Sequence, residues 1–125
     1  MKVLVVEDEI LTAISLCMDL EDFNGEVLPP VAKGEDAVSV YKEKKPELIF
    51  MDICLAGEMD GIEAAEMIRQ LNGNGTEICF MTGYVTPLIR EKAMKVKPVA
   101  FLEKPFSIAD IKAVYDSVVK KIKGS

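Results

Sequence analysis

Four short apolar runs constrain the fold of this chain more than any other feature of its sequence. They are Val3–Val6, Leu48–Met51, Ile78–Met81 and Val99–Leu102. Each run is continuously apolar and does not alternate with polar residues, which is typical of a strand covered on both faces in a parallel sheet. A weaker fifth run, Glu26–Leu28, leads into two prolines. Because proline donates no ladder hydrogen bond, we expect this strand at an edge of the sheet.

Segments of helical periodicity separate the apolar runs. Their apolar residues recur at spacings of three and four, which predicts five helices that each bury one apolar face. In chain order, the predicted buried faces are Ile10, Ala13, Ile14 and Cys17; Ala37, Val38 and Tyr41; Ala64, Ala65, Ile68 and Leu71; Ile89, Ala93 and Val96; and Ile108, Ile111, Tyr115, Val118 and Ile122. Two helix starts, Asp60-x-x-Glu63 and Ser107-x-x-Asp110, have the capping-box pattern. The alternation predicts an α/β, doubly wound, flavodoxin-like fold: a five-stranded parallel sheet of order 2-1-3-4-5 flanked by five helices.

Length and composition exclude several classes of protein. A chain of 125 residues predicts one domain, residues 1–125. The 15 basic and 21 acidic residues give a net charge of −6, which argues against direct DNA binding. No apolar stretch approaches the roughly 18 residues of a membrane-spanning helix. Three widely spaced cysteines without a CxxC pair indicate reduced thiols and a cytoplasmic location. The absence of histidine excludes serine–histidine and cysteine–histidine catalysis within the chain.

Polar residues follow the predicted strands at the points where they end. Glu7 and Asp8 follow the run Val3–Val6, and Asp52 follows Leu48–Met51. Thr82 follows Ile78–Met81, and Lys104 lies just beyond Val99–Leu102. Carboxyl ends of parallel strands meet at one edge, where ligands collect. Two converging carboxylates repel by roughly 4 kcal/mol at about 4 Å and an effective dielectric of about 20. A divalent cation would offset this repulsion, and hard oxygen ligands favour Mg²⁺.

This grouping indicates phosphoryl chemistry at Asp52. Its carboxylate would attack phosphorus in line and form an acyl phosphate, with Lys104 and Thr82 contacting the incoming oxygens. Taken singly, the same residues have purely structural interpretations. Glu7 and Asp8 fit helix N-caps equally well, Thr82 could cap the helix that opens near Pro87, and Lys104-Pro105 could be a simple turn. The functional interpretation depends on all of them falling at strand ends in one layer.

Over residues 2–122 the chain resembles the receiver domain of two-component response regulators, in the single-domain form of the chemotaxis regulators. The matching segments are Val3-Leu4-Val5-Val6-Glu7-Asp8-Glu9, Met51-Asp52-Ile53, Asp60-Gly61-Ile62-Glu63, Met81-Thr82-Gly83 and Phe101-Leu102-Glu103-Lys104-Pro105-Phe106. The resemblance implies that Asp52 is the phosphoacceptor and that Thr82 and Lys104 contact the phosphoryl group. It implies Phe101 as an aromatic switch residue acting with Thr82. It also implies a cis Lys104-Pro105 bond, and Mg²⁺ ligands from Glu7, Asp8, Asp52 and the backbone carbonyl of Cys54.

The resemblance also implies partners. A sensor histidine kinase, a phosphotransfer protein or a small phosphodonor would supply the phosphoryl group. Modification would switch the face built by the fourth helix, fifth strand and fifth helix, which would then bind a downstream protein or a second copy of the chain. The protein is not expected to be an enzyme, although it assists its own phosphorylation and dephosphorylation.

The sequence departs from the common receiver pattern near Asp52. Glu7 replaces the aspartate of many members, so we expect it to reach the metal through water. The loop after Asp52 is one residue longer than usual and has Ala56 where proline is frequent. Cys54 and Tyr84 lie two residues beyond Asp52 and Thr82. Neither holds an attacking water easily, which predicts slow loss of the phosphoryl group.

Three other functions remain open from the sequence. A degenerate receiver would bind its partner without phosphorylation. An aspartate-nucleophile phosphatase of the haloacid dehalogenase type would need a second aspartate two residues after the first, where this chain has Cys54. A flavodoxin-like cofactor binder would need a Ser/Thr/Gly phosphate cradle in its first loop, which is lacking here.

Overall fold

The sheet and helices follow the predicted alternating order. The computed structural model describes residues 1–71 and 73–124. Its elements are β1 Lys2–Val6, α1 Ile10–Asp22, β2 Glu26–Val27, α2 Gly34–Lys44, β3 Leu48–Asp52, α3 Gly61–Gln70, a short 3₁₀ turn Gly73–Gly75, β4 Glu77–Thr82, α4 Pro87–Met94, β5 Ala100–Glu103 and α5 Ile108–Lys123. All strand pairs are parallel, and the strand order is β2-β1-β3-β4-β5. The predicted doubly wound fold is therefore confirmed, with the two-residue β2 at the edge.

Two apolar layers cover the two faces of this sheet. Alternate residues of β1, β3 and β4 pack against α2, α3 and α4 on one side and against α1 and α5 on the other. Leu4, Ile49 and Phe80 belong to the first layer, while Val3 and Phe50 belong to the second. All of β3 is buried. For β1, β3 and β4 the continuous apolar runs therefore have the cause inferred from the sequence, since almost none of their residues meets solvent. The run Val99–Leu102 departs from this expectation, because β5 lies at the other edge of the sheet and is only half-buried.

The predicted buried face of α1 is partly wrong. Ile10 is 73% exposed and Ile14 is 48% exposed, whereas Leu16 and Leu20 are buried beside Ala13 and Cys17. Apolar residues occur around most of this helix, so periodicity alone did not identify the side that meets the sheet. Three residues at or near helix ends, Leu71, Ile108 and Ile122, are also exposed, contrary to prediction.

The observed helix starts show which of the predicted polar residues cap a helix. Both predicted capping boxes are confirmed, with Asp60 paired to Glu63 and Ser107 paired to Asp110. Helix α4 is capped by Thr86, whose Oγ1 accepts the Ile89 N–H at 3.1 Å, so the cap interpretation of Thr82 is wrong. The N-cap position of α1 is Glu9, so Glu7 and Asp8 are not N-caps either.

Within residues 1–71 and 73–124, none of the helices has the length and apolar character needed to span a bilayer.

Candidate functional site

The carboxyl ends of four neighbouring strands bring the predicted polar residues to one edge. Glu7 directly follows β1, Asp52 ends β3, Thr82 ends β4 and Lys104 directly follows β5. The strand register places Asp52 opposite Met81 and Thr82 opposite Glu103. The Lys104 N–H also donates to the Thr82 carbonyl at 2.7 Å, which extends the ladder to the lysine itself. A parallel sheet thus gathers residues that are far apart in sequence.

Lys104 links two buried carboxylates. Its Nζ lies 2.6 Å from Glu7 Oε1 and 2.8 Å from Asp52 Oδ2. Glu7 is 3% exposed and Asp52 is 4% exposed, whereas the Lys104 side chain retains 27% exposure. Two buried acids therefore share one ammonium. The charge of the pair is only half compensated, and this drives the electrostatics of the site.

The pKa values of the pair reflect this arrangement. The pKa of Glu7 is raised from 4.5 to about 7, chiefly by burial and also by the neighbouring Asp52 carboxylate, while Lys104 partly opposes the rise. Burial by itself would lower the pKa of Lys104, but its hydrogen bonds and charge interactions with Asp52 and Glu7 outweigh burial and raise it. Lys104 therefore remains a cation. Glu7 Oε2 is buried and has no hydrogen-bond partner among the described residues.

A third acid makes this edge suited to a cation. Ligand oxygens of Glu7, Asp8 and Asp52 all lie within 4.8 Å of one another, with Asp8 on the exposed side. An unpartnered buried oxygen and a surplus of negative charge are what a bound divalent cation would satisfy, and carboxylates are ligands that Mg²⁺ prefers. Cys54 lies against the same cluster, because its N–H donates to Asp52 Oδ1 at 3.0 Å. The residues present therefore fit a metal of this kind.

The Thr82 hydroxyl is engaged away from Asp52. Its Oγ1 donates to the Tyr84 carbonyl at 3.0 Å and accepts the Tyr84 N–H at 3.1 Å. The hydroxyl is thus held in the turn that leads from β4 to α4. To donate to a group on Asp52, the hydroxyl would have to give up its hydrogen bond to the Tyr84 carbonyl.

Phe101 lies half-buried on β5 and contacts two side chains. Its ring packs at an angle on Phe80, with centroids 6.4 Å apart. The Arg90 guanidinium carbon of α4 is 5.1 Å from the Phe101 centroid, a cation–π distance. The sequence analysis missed Arg90, because a single arginine on a helix has no periodic or motif signal that predicts an aromatic partner.

Gly61 is a second residue that the sequence analysis left without a role. A Cβ at this position would lie 2.1 Å from the Asp52 carbonyl oxygen, so only glycine lets the start of α3 pack on the end of β3. The sequence shows only that it directly follows the Asp60 cap, and that position does not by itself require glycine. The Lys104-Pro105 bond is cis. Among the cysteines, Cys17 and Cys79 are buried and Cys54 is exposed.

Comparison with known proteins identifies the class. A family model for the response regulator receiver domain matches residues 3–116. The chain therefore belongs to the family of response regulator receiver domains, which are signalling domains, as the resemblance predicted.

Individual relatives agree with this assignment. The transcriptional regulatory protein PdtaR of Mycobacterium tuberculosis is 30% identical over 98% of this chain, which spans 58% of that protein. The chemotaxis protein CheY of Thermotoga maritima is 31% identical over 95% of this chain and 98% of its own length. The chain thus spans about three-fifths of the length of PdtaR and nearly the whole length of this CheY.

A solved structure also matches. The receiver domain of a sensor histidine kinase from Pseudomonas aeruginosa has a TM-score of 0.81 and is 26% identical, with 99% of this chain and 98% of that chain covered. That structure is described with a magnesium ion coordinated in its active-site cleft.

Proposed function

We propose that residues 1–125 are a single receiver domain in which Asp52 accepts a phosphoryl group in a Mg²⁺-dependent reaction. The donor would be a histidine kinase, a phosphotransfer protein or a small phosphodonor. One observation carries the proposal: Asp52 is buried at the carboxyl edge of the sheet, bound to the Lys104 ammonium, with Glu7 and Asp8 within ligand distance of it. A buried carboxylate beside two other acids is costly to keep charged, so a purely structural role explains it poorly.

The chain's own residues supply most of the chemistry. The Asp52 carboxylate is a nucleophile that needs no general base, since there is no proton to remove. An Asp52 oxygen forms a bond to phosphorus while the bond from phosphorus to the donor breaks, and the electron pair leaves with the donor group. Lys104, already 2.8 Å from Asp52, pairs with the oxygens of the transferred group. Catalysis is thus positioning and charge neutralisation.

The proposed metal ligands are Glu7, Asp8, Asp52 and the backbone carbonyl of Cys54. When bound, Mg²⁺ would neutralise the acids and the phosphoryl oxygens. The unpartnered Glu7 Oε2 supports a cation or its bound water at this position. The Cys54 N–H bond to Asp52 supports the expectation that this residue lies at the rim of the metal site.

We infer that phosphorylation of Asp52 signals by changing the conformation of one face of the domain. A phosphoryl group on Asp52 would draw the Thr82 hydroxyl from Tyr84, and Phe101 would follow into the space that Thr82 leaves. The face of α4, β5 and α5 would then bind a downstream protein or a second copy of the chain. Such a switch is governed by the difference in free energy that the phosphoryl group contributes to the two conformations. A cytoplasmic location and the absence of direct DNA binding belong to the same proposal.

The test is intact mass spectrometry after incubation with acetyl phosphate. Wild-type protein with Mg²⁺ is expected to gain one phosphoryl group, and EDTA is expected to prevent the gain. Asp52→Asn should gain none, while the matched control Asp22→Asn, at the exposed end of α1, should behave as wild type. Phosphoryl gain by Asp52→Asn, or no gain by the wild type, would contradict the proposal. Nothing in the geometry favours the phosphatase or the phosphorylation-independent receiver.

A further inference from the structure

The loop that joins β3 to α3, residues 53–60, runs alongside the acidic cluster. Hydrogen bonds hold it at both ends. The Cys54 N–H donates to Asp52 Oδ1 at 3.0 Å, and the Gly61 N–H donates to the Ile53 carbonyl at 2.9 Å. The Cys54 carbonyl belongs to the next peptide unit, which these two bonds do not fix, so its orientation depends on how residues 55–59 are held.

One side chain of a different element holds the far part of the loop. The Met59 N–H donates to Glu35 Oε1 at 3.1 Å, and Glu35 lies in the first turn of α2. Among the residues described, this is the only hydrogen bond from residues 55–59 to another element. The carboxylate is exposed, so it is not required to neutralise a buried charge.

The first turn of α2 is also shaped to receive the loop. A Cβ at Gly34 would lie 3.0 Å from the Met59 carbonyl oxygen and 3.1 Å from Met59 Cγ, so glycine permits this close approach. Gly57, with φ of 97°, turns the loop past Glu35 in a conformation that favours glycine. Two features of the sequence, Gly34-Glu35 and Gly57, thus serve one packed contact between α2 and the loop.

We propose that Glu35 is a positioning residue for the metal site: by fixing Met59 it orders the β3–α3 loop and so strengthens binding of Mg²⁺ near Cys54. The inference rests on the proposed function. A loop already held in place loses less conformational freedom when its backbone takes up a cation, so less of the binding free energy is lost to ordering. Glu35 itself touches no predicted ligand and acts only through the loop.

The test compares three variants of the full chain. Glu35→Ala removes the acceptor, Glu35→Gln keeps an oxygen at the same position without the charge, and Glu43→Ala removes another exposed glutamate of α2 as a matched control. Two quantities are measured on each: the dissociation constant for Mg²⁺ by calorimetry, and hydrogen exchange of the Met59 amide by NMR. The amide reports the tether directly, and it does not depend on phosphorylation.

Glu35→Ala is expected to expose the Met59 amide to exchange and to weaken Mg²⁺ binding about fivefold, the effect of one ordinary hydrogen bond. Glu35→Gln should retain most of the amide protection and most of the affinity, and Glu43→Ala should match wild type. Unchanged affinity in Glu35→Ala would overturn the proposal. So would equal weakening in the Gln and Ala variants, because the effect would then belong to charge and not to the tether.

Failure of the proposed function has a different signature. A wild-type protein that binds no Mg²⁺ would overturn the metal site and this inference with it. A wild type that binds Mg²⁺, together with a Glu35→Ala variant of the same affinity, would overturn this inference alone.

Discussion

Gly61→Ala tests the claim that the start of α3 is packed directly on the end of β3, where Asp52 lies. The added Cβ would lie 2.1 Å from the Asp52 carbonyl oxygen, 2.9 Å from the Asp52 carbonyl carbon and 2.9 Å from Ile53 Cα. All three are backbone atoms, so no flexible side chain is available to move aside. The N-terminus of α3 or the end of β3 has to shift by about 1 Å, as in other overpacked sites.

The cost of that shift can be worked out. Overpacking typically lowers the free energy of unfolding by about 1–3 kcal/mol. Strain in the 2.9 Å hydrogen bond from the Gly61 N–H to the Ile53 carbonyl would lower it by up to about 1 kcal/mol more. Against this, alanine is favoured over glycine in helices by up to about 1 kcal/mol. We therefore expect a net loss of about 2 kcal/mol in the free energy of unfolding. For a domain of this size that lowers Tm by about 8 °C.

Thermal and urea unfolding measure this change. The matched control is Gly75→Ala, because a Cβ there would have no atom within 4 Å and the glycine has no left-handed φ. The control should be neutral or slightly stabilising. Because Gly61→Ala displaces the Asp52 backbone, it should also reduce phosphoryl gain from acetyl phosphate. A Gly61→Ala protein as stable as Gly75→Ala would refute the packing argument.

Three further predictions concern other parts of the molecule. Arg90→Met removes the cation–π contact with Phe101, which is worth about 0.5–1 kcal/mol at an exposed site. Because that contact restrains Phe101, we expect phosphoryl loading to become about two- to fivefold faster in Arg90→Met and to stay near wild type in Arg90→Lys. An unchanged or slower rate in Arg90→Met would contradict this role. Burial raises the pKa of the Cys79 thiol from 9.0 to about 12, so folding favours the protonated thiol. The free energy of unfolding, measured with urea, should therefore fall by about 2 kcal/mol between pH 8 and about pH 10.5, and it should fall less in Cys79→Ala. Cys54→Asn, which can hold an attacking water beside Asp52, should shorten the lifetime of the acyl phosphate after acetyl phosphate is removed, and a rapidly decaying wild type would show that Cys54 does not slow hydrolysis.

The agreement between sequence and structure is closest where information is local or periodic. Continuous apolar runs indicated strands buried on both faces, and β3 is buried throughout. The capping box of Asp60 and Glu63 marked the start of α3 correctly. Polar residues directly after apolar runs placed Asp52 and Lys104 at strand ends, and the parallel topology then brought those ends to one edge. These inferences succeed because steric and hydrogen-bonding rules of strands and helix starts act over only a few residues.

The tertiary structure alone decided how the elements meet. The side of α1 that faces the sheet could not be read from a helix that is apolar around most of its surface, and Ile10 proved exposed. The tether from Glu35 to Met59 and the stacking of Arg90 on Phe101 join residues of different elements, with no spacing rule to connect them.

By itself, then, the sequence determined the parallel α/β architecture and the set of polar residues at its carboxyl edge. Only the folded chain decided that Lys104 bridges Glu7 and Asp52 and that the Thr82 hydroxyl is turned to the Tyr84 backbone. The physical reason is that residue type and period specify which groups a strand or helix presents. The distances between those groups depend on how every other element packs, and Lys104 and Glu7 are 97 positions apart in the sequence.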